Sequence, residues 1–294
     1  MANLPADQRK PIIMDEFNSA SCGGIPESNM FGVGLWSADY ALQMASGGYS
    51  AAYLHTREHG VLYNVWDPPA GVAGASGSWT TGANFYAMLA VTEALQSSNG
   101  SRVVDLNIGN SMWNGSVLTA GYAVYDASSS AVNSVVLFNY QNASAQSTDF
   151  DLPASFFTSG SDSVLVKYMS AETATETTNI NWGNITYAGV GDGIAVNATT
   201  QWGEKTYSCS GGCTVQVPGP GLAVVFATSA PKTDGTPTNS SSSASTTHAD
   251  GSPSSSANPS TGKQNNANSS AGRIGVYCGM SLVAGLAALC SILL

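Results

Sequence analysis

Near residue 100 the hydrophobic period of this chain changes, and that change limits it to two differently built segments. Ahead of it, the run Pro-Ile-Ile-Met-Asp-Glu between Lys10 and Asn18 reads as a short buried strand ending in two carboxylates, with a small-residue loop at 19–24. Phe31, Leu35, Trp36, Ala38, Tyr40, Ala41, Leu42 and Met44 are spaced for a largely buried helix that Gly47 and Gly48 end. Ser50 to His55 reads as a second strand. After a Pro/Gly-rich excursion around Asp67 to Gly77, Ala83 to Gln96 reads as a second helix with Phe85, Met88, Leu89 and Leu95 inward. Two successive βα units predict the end of a parallel α/β fold. A whole (β/α)8 barrel takes about 250 residues, so residues 1–98 suffice for its last two units and no more.

From Arg102 the pattern alternates instead. Val103–Ile108, Thr119–Asp126, Ser134–Tyr140, Ser163–Met169, Ile185–Tyr187, Ile194–Asn197, Cys213–Val217 and Leu222–Ala227 read as strands separated by turn residues, which predicts an antiparallel β-sandwich over residues 99–228. Residues 229–272 are dominated by Ser, Thr, Asn, Pro and Gly, lack apolar anchors and cannot offset the entropy of ordering; a disordered stalk open to O-glycosylation is expected. Residues 273–294 end in an uncharged apolar run from Ile274 without a polar flank. That is the pattern of a signal for attachment of a glycolipid (GPI) anchor, the rival being a retained tail-anchoring helix.

Charged residues make up 10% of the 294, against roughly 25% in a typical soluble domain. Nine Lys and Arg against nineteen Asp and Glu give a net charge of -10, with no basic stripe to neutralise phosphates, which argues against nucleic acid as a partner. Of the five cysteines, Cys209 and Cys213 are separated by Ser-Gly-Gly, short enough for a local disulfide. A zinc pair is the rival, but His55, His59 and His248 supply no matching second pair, and neither a metal nor a cofactor is expected. Glycosylation sequons at Asn99, Asn114, Asn142, Asn184, Asn197, Asn239 and Asn268 point to the secretory route and the cell surface or wall. Met1 to Lys10 lacks the apolar run of a signal peptide, so the expectation is that a longer protein carries one upstream.

Chemistry enters at the first strand. Retaining glycosidases use two carboxyl groups about 5–5.5 Å apart, one attacking the anomeric carbon and one protonating the leaving oxygen. The C-terminal end of a barrel strand is where such groups sit, and Glu16 occupies such an end. Asp15-Glu16-Phe17-Asn18-Ser19-Ala20-Ser21-Cys22-Gly23-Gly24 resembles the nucleophile segment of glycoside hydrolase family 79, the β-glucuronidase and heparanase family. The resemblance continues through Phe31 to Tyr40, through Tyr53-Leu54-His55-Thr56-Arg57 and Tyr63-Asn64-Val65-Trp66-Asp67, and, for fungal-type members, to Cys209–Cys213 and Val217-Pro218-Gly219-Pro220-Gly221-Leu222.

The resemblance implies that Glu16 is the nucleophile, that main-chain N–H groups of Cys22 and Gly23 meet a uronate carboxylate, and that Tyr63 helps hold it. His55 and Arg57 would line the cleft, Arg57 offsetting uronate charge. Cys22 departs from the glycine of heparanase at that place. The family's general acid/base, a Glu following Asn, has no counterpart, because the sequence contains no Asn-Glu pair; Glu27, Asp39, Glu58 and Asp67 are the nearby carboxylates. The implied whole protein is an exo-acting β-glucuronidase working on terminal glucuronic acid of glycans or proteoglycans, with the chain by itself short of an acid. Two other readings stand beside it: a non-catalytic glycosylated surface β-sandwich, and a carbohydrate-binding module using Trp113, Trp182 or Trp202.

Overall fold

The computed structural model describes residues 10–67, 80–108, 117–129, 131–142, 146–157, 163–188 and 194–227, together with the backbone of short strands at 276–278 and 289–293. Residues 1–9, most of the Pro/Gly-rich excursion, Trp113, Asn114, the stalk at 229–272 with Asn239 and Asn268, and most of 273–294 lie outside the described residues. Among the described residues no helix is long and apolar enough to cross a membrane.

Strand β1 (Ile13–Phe17) leads through the small-residue loop into helix α1 (Phe31–Ser46), and β2 (Ala51–His55) pairs with β1 in parallel, Ile13 opposite Ala51 and Phe17 opposite Leu54. This is one βα unit and the strand of the next. A short antiparallel pair, β3 (Trp66–Asp67) and β4 (Thr80–Thr81), then precedes helix α2 (Ala83–Leu95). β1 is not the buried strand its apolar residues suggest: Ile12 and Ile13 are exposed, because within the described chain β1 has no neighbour on its other side.

An antiparallel domain follows: β5 (Ser101–Asp105), β6 (Thr119–Asp126), β7 (Val132–Asn139), β8 (Ser147–Leu152), β9 (Ser163–Ser170), β10 (Asn181–Trp182), β11 (Ile185–Thr186), β12 (Val196–Asn197), β13 (Glu204–Ser208), β14 (Cys213–Pro218) and β15 (Gly221–Phe226). Nine of these form one sheet ordered β12-β11-β10-β9-β15-β7-β6-β5, with β13 pairing on β9; β8 and β14 form a second, two-stranded layer. From the C-terminal segment, β16 (Val276–Cys278) and β17 (Leu289–Leu293) run antiparallel, β17 pairing with β2.

The large sheet is buried on both faces, which explains the uninterrupted apolar run of β15. Leu222, Val224 and Phe226 point to α1 and α2, whereas Ala223, Val225 and Ala227 pack with Phe150, Leu152, Val215 and Val217 of the two-stranded layer. The expected sandwich is therefore a three-layer stack of helices, sheet and sheet. α2, expected to be amphipathic, is enclosed on nearly all sides by α1 and the sheet; Phe85 and Leu89, predicted inward, are half-buried, and Asn84 and Glu93 are buried. The two helices approach closely at Gly34, where a Cβ would lie 2.9 Å from the Ala83 carbonyl oxygen.

The buried polar groups of these helices find partners either on the neighbouring helix or on the large sheet. Ser37 Oγ donates to Asn84 Oδ1 at 2.6 Å. Lys167 Nζ contacts both Glu93 oxygens at 2.7 and 3.0 Å, and Trp182 Nε1 donates to the same carboxylate at 2.7 Å. Asp39 of α1 accepts from the Tyr122 and Tyr140 hydroxyls. Cys209 and Cys213 form a disulfide beside the second core, with Cys209 buried.

Candidate active site

Parallel pairing of β1 and β2 brings their C-terminal ends side by side, and Asn18 ties them by donating its Nδ2 to the His55 main-chain oxygen at 2.7 Å. The register slips between Met14 and Phe17, so Asp15 and Glu16 together face Tyr53 alone. A bulge of this kind re-aims side chains at the end of a strand. Phe17 turns inward onto Trp36 and Tyr40 of α1, and the Glu16 side chain emerges with 64% of its surface exposed.

The following loop turns sharply through three successive left-handed residues, Cys22 (φ 59°), Gly23 (φ 103°) and Gly24 (φ 89°). For cysteine that conformation costs about 1 kcal/mol or more, whereas glycine adopts it freely. A Cβ on Gly24 would also lie 2.9 Å from Ser28 Oγ and 3.1 Å from Tyr63 Cδ1. Leu62 N donates to the Gly23 carbonyl at 3.0 Å, while the main-chain N–H groups of Cys22 and Gly23 have no acceptor among the described residues.

The loop after β2 is held by Asn64, whose side chain accepts from Thr56 Oγ1 and Arg57 N at 2.8 Å each and donates to the Glu58 carbonyl and to Asp67 Oδ1. Asp67 in turn accepts from Gly60 N and pairs with His59 at 3.0 Å. This fixes Tyr63, which is buried; its ring meets His55 edge-on at 5.7 Å, and Trp66 packs on Phe85 instead.

Glu16, Asn18, Cys22, His55, Arg57 and Tyr63 line one cavity of about 440 Å³. His55 Nδ1 lies 3.7 Å from Glu16 Oε1, beyond hydrogen-bond reach, and is buried without a partner. The Tyr63 hydroxyl likewise has no partner among the described residues. Two unpaired polar groups and a carboxylate thus converge on one space, an arrangement suited to a polar ligand. Of the residues singled out from sequence, Gly23 stands off the lining, and Arg57 is already paired with Glu58 at 2.9 Å. Asn18 and Asn64 order the site; an amide directly after a strand end is the one visible signal for Asn18, and Asn64 in mid-loop has none.

No second carboxylate joins Glu16 in the lining. Asp39 is half-buried between α1 and the large sheet, where it accepts from Tyr122 and Tyr140, Glu58 faces Arg57, and Asp67 is taken up within its own loop. Among the described residues no cluster of His, Cys, Asp and Glu could hold a metal ion. Of the sugar-stacking candidates, Trp182 is buried against Glu93 and Trp202 is half-buried. The described sequons at Asn99, Asn142, Asn184 and Asn197 all begin at exposed asparagines.

Residues 121–224 match the family described as Glycosyl hydrolase family 79 C-terminal beta domain. Among solved structures, the chain resembles the 4-O-α-L-rhamnosyl-β-D-glucuronidase from Fusarium oxysporum 12S, solved with Rha-GlcA, at 22% identity and a TM-score of 0.58, covering 74% of this chain and 43% of that one. The GH51 α-L-arabinofuranosidase from Thermotoga petrophila RKU-1 (9% identity, TM-score 0.46, 73% and 42% covered) and another arabinofuranosidase (11%, 0.45, 73% and 42%) also match. The chain thus spans less than half the length of each of these enzymes, and its likeness to the rhamnosyl-glucuronidase is one of fold. Comparison with curated protein sequences gives no match. The antiparallel strands β6 to β15 fall within or at the edges of residues 121–224, so the match to the glycosyl hydrolase family 79 C-terminal beta domain falls on the antiparallel part of the chain.

Proposed function

We propose that this chain is the C-terminal part of a retaining exo-β-glucuronidase-like glycoside hydrolase acting on terminal glucuronic acid of glycans, with Glu16 as the nucleophile. The observation that carries the reading is the convergence of Glu16, His55 and Tyr63 on one cavity at the ends of two parallel strands. In this reading the Tyr63 hydroxyl and the unengaged N–H groups of Cys22 and Gly23 receive the uronate carboxylate, and Glu16 attacks the anomeric carbon. Leaving-group protonation, typically worth about 10²–10⁴ in rate, falls to a residue outside this chain. The exposed sequons and the apolar C-terminal run fit a secreted protein held at the cell surface by a glycolipid anchor.

A substrate with a leaving group that needs no protonation separates attack from acid catalysis. Incubation with a 2-deoxy-2-fluoro-glucuronide of dinitrophenol should add one glycosyl unit to the peptide bearing Glu16, read by mass spectrometry, and Glu16→Gln should abolish it. Absence of labelling in both would remove the nucleophile role.

One observation favours a second reading: Glu16 is 64% exposed and shares its cavity with no other carboxylate. A non-catalytic, glycosylated surface protein would bind glucuronides through the same cavity without accepting label. Saturation-transfer NMR with methyl β-glucuronide, together with the labelling experiment, distinguishes the two.

A further inference from the structure

A separate concavity of about 290 Å³ opens beside the C-terminal end of β9, lined by Glu172, Asn179, Asn181, Thr200, Gln201 and Trp202 among others. It shares no residue with the cavity at Glu16, and its chemistry differs: there is no cation in the lining and one aromatic wall. Trp202 is set firmly without being submerged. Its N–H donates to Thr200 Oγ1 at 3.1 Å, its carbonyl accepts from Ser170 Oγ, the Tyr168 ring meets it edge-on at 5.3 Å, and Lys205 Nζ sits 3.9 Å over the indole. The side chains of Glu172, Asn181 and Gln201 make no hydrogen bond to any described residue, so their donors and acceptors remain available.

We propose that this cavity binds an uncharged sugar unit of a glycan. The indole is held in place, and its face not covered by Lys205 would be the surface on which the C–H face of a pyranose or furanose ring stacks. Asn181 and Gln201 each present a donor and an acceptor in one plane, which suits adjacent ring hydroxyls, and Glu172 adds an acceptor-only group. The volume lies near the lower end of the range of about 300–1,000 Å³ for ligand pockets, enough for one or two sugar units. Glu172 is the one charged group of the lining, with Lys205 standing over the indole outside it, so this cavity favours neutral units where the cavity at Glu16 is proposed to take a charged one. The inference does not depend on the role of Glu16.

The test is affinity electrophoresis of the full chain, with its N-glycans trimmed so that a glycan at Asn197 does not shield Thr199 and its neighbours. Neutral galactan, arabinan, xylan and β-glucan are cast in the gel in turn. Retardation by at least one is expected, weakened at least tenfold by Trp202→Ala and by Gln201→Ala, and unchanged by Glu16→Gln. Gln201 is exposed, so its variant keeps the fold even if Trp202→Ala does not. Retardation by none of the four, or retardation that survives Gln201→Ala undiminished, overturns the proposal.

Discussion

The main-chain N–H of Phe31, first residue of α1, donates to the Glu176 carbonyl at 2.7 Å, and Gly32 N donates to the Ala174 carbonyl at 2.8 Å. The antiparallel domain thereby satisfies helix-start donors that no side chain of α1 caps. The loop that supplies these carbonyls is shaped by the Glu176 carboxylate, which accepts from the N–H groups of Thr178, Thr177 and Asn179.

Those bonds, Thr178 foremost, lower the Glu176 pKa to about 2. A carboxyl whose folded pKa is depressed stabilises the fold above its unfolded value and loses that contribution as pH falls through the folded one. Asp126, held low by Ser128 and its neighbours, has the same sign. Urea unfolding of Glu176→Gln should show a smaller loss of stability between pH 4.5 and 2 than the parent, and Glu176→Ala should cost about 1 kcal/mol at pH 7.

Asp39 behaves in the opposite sense. Burial raises its pKa, although the hydroxyls of Tyr122 and Tyr140 partly counter that. A folded-state pKa above the unfolded value means stability that is complete below the unfolded pKa and declines as pH rises through the folded one. Relative to Asp39→Asn, the parent should therefore lose stability with rising pH above about pH 4, measurable as a pH-dependent difference in urea midpoint.

Lys167 and Glu93 form an ion pair almost wholly removed from water. Removing one partner strands the other charge, so Lys167→Met should cost about 3–5 kcal/mol, while Lys167→Met with Glu93→Leu should recover much of it. Recovery stays partial because Trp182 Nε1 then loses its acceptor. A double-mutant cycle in denaturant checks this.

Tyr63→Phe should leave the melting temperature within about 2 °C, since the hydroxyl has no partner among the described residues and the ring contact with His55 persists. The same change should weaken glucuronide binding at least fivefold by NMR titration.

Much of this architecture was legible in the sequence because period follows from burial. Phe31–Ser46 and Thr119–Asp126 bury their apolar residues in the patterns expected of a buried helix and a two-faced strand. β13, with sequence Glu-Lys-Thr-Tyr-Ser, was not legible because it is stabilised by pairing on β9 rather than by apolar burial. β8 is hidden in the sequence for a similar reason: Phe150 and Leu152 alone are buried in it. The enclosure of α2 depends on residues such as Lys167, 74 positions away from Glu93, which no local pattern encodes. At the site, the grouping of Glu16 with Tyr63 follows a recognisable segment, but the bulge that exposes Glu16 and the pairing that occupies Arg57 are tertiary facts.

The enclosure of α2 also fixes what may be exchanged between proteins of this build. The change of period near residue 100 marks where the backbone alters its style, yet the helix just before it is wedged between α1 and β7, β9, β10 and β15. A chimera joined at that point would pull a helix with an almost continuous apolar surface out of its socket and strip the sheet of one face. The unit that can be grafted or expressed is the sheet together with both helices, and a splice that respects the fold belongs upstream of Phe31.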